Sequence, residues 1–164
     1  MKKLTIVRHA KSSWEFPGLS DFDRPLNKRG RRDAQLMANH SHHNEIQPDL
    51  FLTSPASRAV TTARIFASAM NYVEQQIQMN TTLYHASPLE ILVTLKTQLD
   101  EHNHIILFGH NPGLTEFINQ FGNLSLSNLP TSGLVSFSLK TETWASIQFK
   151  MGVEEHYFHP KSIS

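Results

Sequence analysis

The stretch TIVRHAKSSW, residues 5–14, decides how this chain folds and where its reactive side chains lie. Residues 3–8 (KLTIVR) are largely apolar or β-branched, which is typical of a parallel strand buried on both faces. The strand runs straight into Arg8 and His9, two side chains that are costly to bury without partners. Either the end of the strand is simply solvated, or the strand delivers these side chains to a reaction centre.

Apolar segments alternate with helical segments along the rest of the chain. The predicted strands are residues 3–8, 49–54 and 104–110, and the predicted helices are residues 28–40, 55–71, 88–99 and 112–121. Ser54 is a predicted N-cap, because Pro55 suits the first position of the helix that follows it. Strands that alternate with helices predict an α/β fold, with a mainly parallel central sheet and helices on both faces.

Two regions are less regular. Residues 76–86 are ambiguous and compatible with a short strand. Residues 133–139 and 145–151 alternate between apolar and polar side chains, which predicts an antiparallel hairpin. No linker-like segment or internal repeat divides the chain, so residues 1–164 are predicted to form a single domain.

The composition excludes several classes of protein. Apolar residues make up 39% and charged residues 18% of the chain, as in globular proteins. The net charge of +1 provides no general attraction for nucleic acid or membrane surfaces. The absence of cysteine excludes disulfides and a thiolate nucleophile. The N-terminal apolar run is too short for a signal peptide, and no run reaches transmembrane length, so a cytoplasmic location is expected.

Polar side chains collect where the predicted strands end. The first strand ends on Arg8 and His9, the second leads within four residues to Arg58, and the third ends on His110. The carboxyl ends of parallel strands meet at one edge of a sheet, so these side chains are expected to converge. Guanidinium groups match phosphoryl oxygens, and a neutral imidazole nitrogen, kept neutral by the nearby cations, can attack phosphorus.

Four motifs, in this order, carry a resemblance to a known family. They are RHA (8–10), DRPL (23–26), TSPASRAVTTA (53–63) and GHNPG (109–113). Together they resemble the histidine phosphatase superfamily, which has the phosphoglycerate mutase-like fold. The short length and the lack of an inserted cap domain are most similar to the SixA-type phosphohistidine phosphatases. The resemblance extends through nearly the whole chain.

The resemblance implies a role for each residue of the predicted cluster. His9 would take the phosphoryl group, which a water molecule then releases. Arg8 and Arg58 would bind the phosphoryl oxygens, and His110 would donate a hydrogen bond to the transferring group. Arg24 and Ser12 are predicted to bind substrate at the mouth of the pocket. The resemblance implies no cofactor, and no metal ligand set is apparent.

A general acid is harder to identify. Many members of the superfamily carry a Glu or Asp where this chain has LYHASPLE (83–90), and SixA-type members similarly lack a clear acid there. Because an imidazole leaves more readily than an alkoxide, a weak or missing acid favours phosphohistidine as the substrate. The acid, if there is one, stays open among four residues: Asp21, Asp23, His85 and Glu90.

These features predict a metal-independent phosphatase that acts on phosphohistidine in a protein, such as a histidine phosphocarrier. Two alternatives remain: a phosphatase of a small phosphate ester or anhydride, and a non-catalytic module that binds phosphorylated ligands. No nucleic-acid or membrane partner is expected.

Three further sets of residues can be interpreted as structural or solvated features. The histidines at 40, 42 and 43 are interpreted as a solvated helix end rather than a metal site. The basic run KRGRR (28–32) is interpreted as a solvated face, although it would also suit recruitment of an acidic phosphoprotein. Trp14 and Phe16 either line the rim of the pocket or pack within their loop.

Overall fold

The computed structural model describes residues 1–163, and its centre is one six-stranded sheet. The strands are β1 (Lys2–Arg8), β2 (Leu50–Thr53), β3 (Gln78–Met79), β4 (His104–Gly109), β5 (Leu134–Leu139) and β6 (Val153–Phe158). Their order across the sheet is β3-β2-β4-β1-β5-β6. Only the pairs that include β5 are antiparallel. The predicted mainly parallel α/β fold is therefore confirmed.

Helices cover both faces of this sheet. They are α1 (Lys28–His43), α2 (Ser57–Ala69), α3 (Pro88–Lys96), α4 (Gly113–Gly122) and the short α5 (Pro160–Ile163). On one face, Val7 and Phe108 of the sheet pack in a core with Phe66 of α2. On the other face, Leu4 packs in a core with Phe117 of α4. Successive side chains of β1 thus enter opposite cores, which explains its continuous apolar sequence. Within residues 1–163, no helix is both long and apolar enough to cross a membrane.

The predicted hairpin is wrong in its second strand. The partner of β5 is β6 at Val153–Phe158, whereas residues 145–151 contain the end of a short 3₁₀ helix (Trp144–Ser146), irregular chain and a turn. The apolar residues of this region pack in the core: Ile147 and the preceding Trp144 are fully buried beside α4. β6 lies at the edge of the sheet and is exposed or half-buried, so its sequence, VEEHYF, lacks the expected alternation.

Several predicted helix boundaries also shift. α1 continues to His43, which places its three histidines in the last turn, where the helix dipole favours cations. α3 ends at Lys96 rather than at residue 99. α2 begins at Ser57 with Ala56 at the N-cap, so the prediction that Ser54 is the N-cap is wrong. The ambiguous residues 76–86 contain β3.

Candidate active site

The site lies at the carboxyl ends of β1 and β4, as the order of the motifs predicted. His9 follows β1 directly, and its backbone N–H donates to the carbonyl of Gly109 at the end of β4 (3.1 Å). His110 follows β4, and the centroids of the two imidazole rings are 5.2 Å apart. Parallel pairing of β1 with β4 therefore brings together two residues that are far apart in the sequence.

His9 is held as a neutral imidazole with one nitrogen available. The ring is only 7% exposed, and its Nδ1 lies 2.7 Å from the carbonyl oxygen of Ala10. Since a carbonyl can only accept, Nδ1 carries the proton and Nε2 is unprotonated. Arg58 Nε donates to that Nε2 (3.3 Å). Burial, with Arg58 and Arg8 nearby, lowers the pKa of His9 to about 4.

His110 is anchored by a residue that sequence reasoning misassigned. Its Nε2 lies 2.8 Å from the hydroxyl of Ser54, which also accepts the backbone N–H of Ala56 (3.2 Å). The hydroxyl hydrogen of Ser54 can then be donated to Nε2, leaving the proton of His110 on Nδ1. That Nδ1 is buried and has no hydrogen-bond partner among the described residues. Burial and His9 lower the pKa of His110 far below its usual range.

Arg8 and Arg58 add fixed positive charge beside His9. Arg8 Nη1 donates to the carbonyl of Leu129 (3.0 Å), while its buried Nε has no partner in the part of the chain that the structure describes. Burial and Arg58 lower the pKa of Arg8. Arg58 lies in the first turn of α2 and is 3% exposed. These cations stabilise any anion bound next to Nε2 of His9.

The Asp21 side chain is an anion that contacts the cationic cluster through Arg58. Arg58 Nη1 donates to the backbone carbonyl of Asp21 (2.6 Å), and Arg58 Nη2 donates to its carboxylate (3.0 Å). The Tyr84 hydroxyl donates to the same carboxylate oxygen (2.7 Å), and His85 Nε2 lies 3.2 Å from it. These contacts, led by the Tyr84 hydrogen bond, hold the pKa of Asp21 well below its usual range.

Tyr84 and His85 approach the site from the chain that precedes α3. Their rings lie 5.4 Å and 5.1 Å from the ring of His110. His85 has a φ of 54°, a left-handed backbone conformation that is uncommon outside glycine. The segment LYHASPLE (83–90) indicated that an acid is missing at this position. It did not indicate that Tyr84 and His85 contact Asp21.

The remaining substrate-binding prediction concerns Arg24 and Ser12. Arg24 Nη2 donates to the Ser12 hydroxyl, and Nη1 lies 3.6 Å from the Asp21 carboxylate. The guanidinium stacks on the exposed ring of Trp14, with its carbon 3.5 Å from the ring centroid. Ser12 itself is held by an isolated β-bridge to Leu26. Arg24 therefore lies beside the cluster through its contact with Asp21, and Ser12 contacts Arg24; both residues are buried.

The four candidate acids differ in their surroundings. Glu90 accepts the backbone N–H of Ser87 in a capping box at the start of α3, which accounts for its position. Asp23 accepts the hydroxyl of Ser20. Asp21 is ionised, and a carboxylate has no proton to donate. Among residues 1–163, no group of three or more histidine, aspartate or glutamate side chains is arranged to hold a metal ion.

Comparison with known proteins connects this geometry to a family. The profile of the histidine phosphatase superfamily (branch 1) matches residues 4–84. The structure of a candidate phosphohistidine phosphatase SixA from Agrobacterium tumefaciens is 30% identical, with 85% of this chain and 92% of that chain covered and a TM-score of 0.78.

Two further comparisons show a shared fold and a sequence relative. The structure of the protein histidine phosphatase SixA complexed with tungstate shares the fold, with a TM-score of 0.84, 19% identity and 99% coverage of both chains. An uncharacterised chloroplast protein of Arabidopsis thaliana is 28% identical over 134 residues, which span 76% of this chain and 61% of the plant protein. This chain thus spans less than two thirds of that relative.

Proposed function

The chain belongs to the histidine phosphatase superfamily, and we propose that it removes the phosphoryl group from phosphohistidine in a protein. Membership of this superfamily supports phosphatase activity. The reaction runs in two steps through a phosphohistidine on His9. The observation that carries the proposal is the unprotonated Nε2 of His9, which accepts a hydrogen bond from the Arg58 guanidinium. A nucleophilic nitrogen next to a fixed cation is the arrangement that transfer of an anionic phosphoryl group requires.

In the first step, His9 Nε2 attacks phosphorus in line with the substrate P–N bond. As the new N–P bond forms, the old one breaks, and the substrate ring leaves with its electron pair. A substrate ring that carries a proton on its other nitrogen leaves as neutral imidazole. The Ala10 carbonyl accepts the hydrogen bond from Nδ1 and stabilises the positive charge that develops on the His9 ring.

In the second step, water attacks the phosphorus and the bond to Nε2 breaks. Inorganic phosphate leaves, one proton of the water passes to phosphate or solvent, and neutral His9 is restored. Arg8 and Arg58 bind the phosphoryl oxygens in both steps, and Nδ1 of His110 donates to them. The two arginines supply the positive charge in this mechanism, so we propose that it needs no metal ion.

The choice of phosphohistidine over a phosphate ester depends on the leaving group. An alkoxide needs a proton from an acid, but Asp21 is ionised, and Glu90 and Asp23 have other hydrogen bonds. A substrate imidazole that already carries a proton on its other nitrogen leaves as a neutral ring without an acid in the site. Tyr84 and His85 both contact Asp21, and the Tyr84 hydroxyl stays neutral because burial and Asp21 raise its pKa. Substantial turnover of alkyl phosphates would favour the small-molecule alternative, with Tyr84 or His85 as its proton donor.

Rapid-quench labelling tests the proposal. With a protein phosphorylated on histidine by labelled phosphoramidate, and with excess chelator present, wild type should form an acid-labile, base-stable label that maps to His9. His9→Ala should lose the label and lower turnover by at least ~10³-fold. His110→Ala should slow turnover about 10²-fold and still form label.

His43→Ala is the matched control, because His43 is exposed at the end of α1. It should leave both labelling and turnover unchanged. Label on His110, or label retained in His9→Ala, would show that the two roles are assigned the wrong way round. Binding of phosphorylated ligands without any turnover would instead indicate a non-catalytic module.

A further inference from the structure

Two large aromatic side chains project from the loop that follows the active-site strand. Trp14 is 76% exposed and Phe16 is 52% exposed. Isolated exposed apolar residues are ordinary on protein surfaces, but two exposed aromatic side chains in one short segment are typical of contact surfaces. Aromatic rings supply large contact area with few rotatable bonds, so they are favoured at interfaces.

A short series of contacts connects the Trp14 ring to the reactive histidine. Trp14 stacks on Arg24, whose Nη1 lies 3.6 Å from the Asp21 carboxylate. Asp21 in turn accepts Arg58, which donates to His9. Trp14 is therefore linked to His9 through Arg24, Asp21 and Arg58, so the surface around Trp14 is continuous with the candidate site.

The start of α1 adds an unusual concentration of positive charge next to the aromatic rings. Lys28, Arg29, Arg31 and Arg32 are exposed, and the first turn contains no acidic residue. Arg29 and Arg32 are within 4 Å of Asp33, whereas Lys28 and Arg31 have no ion pair within residues 1–163. Cations at a helix N-terminus oppose the helix dipole and lower stability. A local rule broken in this way is more common where a protein has a functional use for the charge.

The loop and the helix form one surface with a groove between them. The groove has a volume of about 540 Å³, and its lining includes Ser13, Phe16, Lys28 and Arg31, with one acidic side chain, Glu15. The Asn27 backbone N–H donates to the Lys11 carbonyl (3.0 Å), and α1 approaches that carbonyl through Gly30. The loop is thus fixed against the helix.

The charge of this region sets the chemistry of its partner. Residues 11–32 carry six cationic and three anionic side chains, although the whole chain has a net charge of only +1. We propose that Trp14, Phe16, Lys28 and Arg31 form a docking surface for the phosphorylated protein, and that this partner presents acidic and apolar residues around its phosphohistidine. The proposal rests on the proposed function and adds to it the kind of surface that the substrate must have.

Binding can be measured without any phosphoryl transfer. Trp14 is exposed whereas Trp144 is fully buried, so a change in tryptophan fluorescence on peptide binding reports on Trp14. The probe is an unphosphorylated peptide with a central histidine flanked by glutamate and leucine. It should shift the fluorescence at low salt and dissociate at high salt, since exposed charges are screened. The same peptide with lysine in place of glutamate should not bind.

Charge removal identifies the residues that dock. The double variant Lys28→Gln, Arg31→Gln should weaken binding of the glutamate peptide roughly two- to tenfold. It should lower kcat/KM for the histidine-phosphorylated form of that peptide by a similar factor, but leave hydrolysis of free phosphoramidate unchanged. The matched control is Lys96→Gln, Lys140→Gln, which removes two exposed charges elsewhere and should change neither value.

If Lys28 and Arg31 had a purely structural role, the double variant would be less stable than wild type. We expect it instead to be at least as stable, because removing these charges relieves their conflict with the helix dipole. Equal affinity for glutamate and lysine peptides, or preferential binding of a short RNA, would overturn the docking proposal. Failure of wild type to hydrolyse any phosphohistidine, with the peptide preference intact, would instead overturn the proposed function.

Discussion

The Asp21 carboxylate accepts hydrogen bonds from Arg58 and Tyr84, and in the proposed mechanism Arg58 is also a donor to the phosphoryl oxygens of the substrate. Arg58 illustrates the competition, because its Nε is directed to His9 and both of its terminal nitrogens contact Asp21. A bound phosphoryl group has to share or replace these hydrogen bonds. At the scale of single residues, the Asp21 carboxylate and a bound phosphoryl group thus compete for the same hydrogen-bond donors.

Removing the charge of Asp21 should favour the external anion. Asp21→Asn should tighten inhibition by tungstate or phosphate about fivefold, the equivalent of roughly 1 kcal/mol for a partly exposed ion pair. The inhibition constant measured with phosphoramidate as substrate tests this. Asp23→Asn is the control, since Asp23 contacts Ser20 rather than Arg58. Weaker oxyanion binding in Asp21→Asn would mean that Asp21 positions Arg58 instead of competing for it.

At the scale of elements, two helices approach neighbouring loops so closely that only glycine fits. A Cβ on Gly30 of α1 would lie 2.1 Å from the carbonyl oxygen of Lys11. A Cβ on Gly113, at the start of α4, would lie 1.9 Å from the carbonyl oxygen of Ala86. The first contact fixes the loop that carries Ser12 and Asp21. The second joins α4 to the segment that precedes α3, so the site depends on how these elements pack.

Gly30→Ala tests the first of these contacts. The added methyl group meets backbone rather than a flexible side chain, so either the loop or α1 must move. The free energy of unfolding should fall by about 1–3 kcal/mol, as overpacking usually costs, and kcat/KM should fall because the rim shifts. Chemical unfolding and steady-state kinetics measure the two effects. Gly18→Ala in the same loop is the control, since nothing lies within 4 Å of its added Cβ. Unchanged stability and activity in Gly30→Ala would contradict this account.

At the scale of the whole molecule, the buried histidines make stability depend on pH. Burial lowers the pKa of His9 and of His104 from 6.5 to about 4, and that of His110 still further. As the pH falls from 6.5 towards 4, the unfolded chain binds protons that the folded protein excludes. The free energy of unfolding therefore decreases in this range, by up to about 1.4 kcal/mol per pH unit for each histidine.

Urea unfolding between about pH 7 and pH 5 should show this loss of stability. His104→Gln removes one of these titrating groups, so the slope of the unfolding free energy against pH should fall by the equivalent of up to one proton. This variant is suitable because His104 lies outside the site and an amide can replace its contact with Thr5 (2.8 Å). His43→Gln should leave the slope unchanged, since that residue is exposed. If stability does not change across this range, the buried histidines cannot have the lowered pKa values described above.

The residues differ in how far their sequence context predicted their positions. Arg8, His9 and His110 follow apolar strands, and Arg58 follows a strand and a proline, so hydropathy and strand order were enough to bring them together. β6 was misplaced because an edge strand need not alternate, while a buried turn at Trp144 and Ile147 can look as if it does. Ser54 had the right context for a helix cap, but its hydroxyl contacts His110 instead.

The sequence by itself determined the α/β fold, the edge of the sheet that carries the site, and the family. It could do so because burial of β1 and β4 requires local apolar patterns, and because the motifs are contiguous. Only the tertiary structure decided that Asp21 meets Arg58, 37 residues away, and Tyr84, 63 residues away. Those contacts arise from the packing of loops on helices through backbone approaches at single glycines, and no pattern along the chain specifies which side chains then face each other.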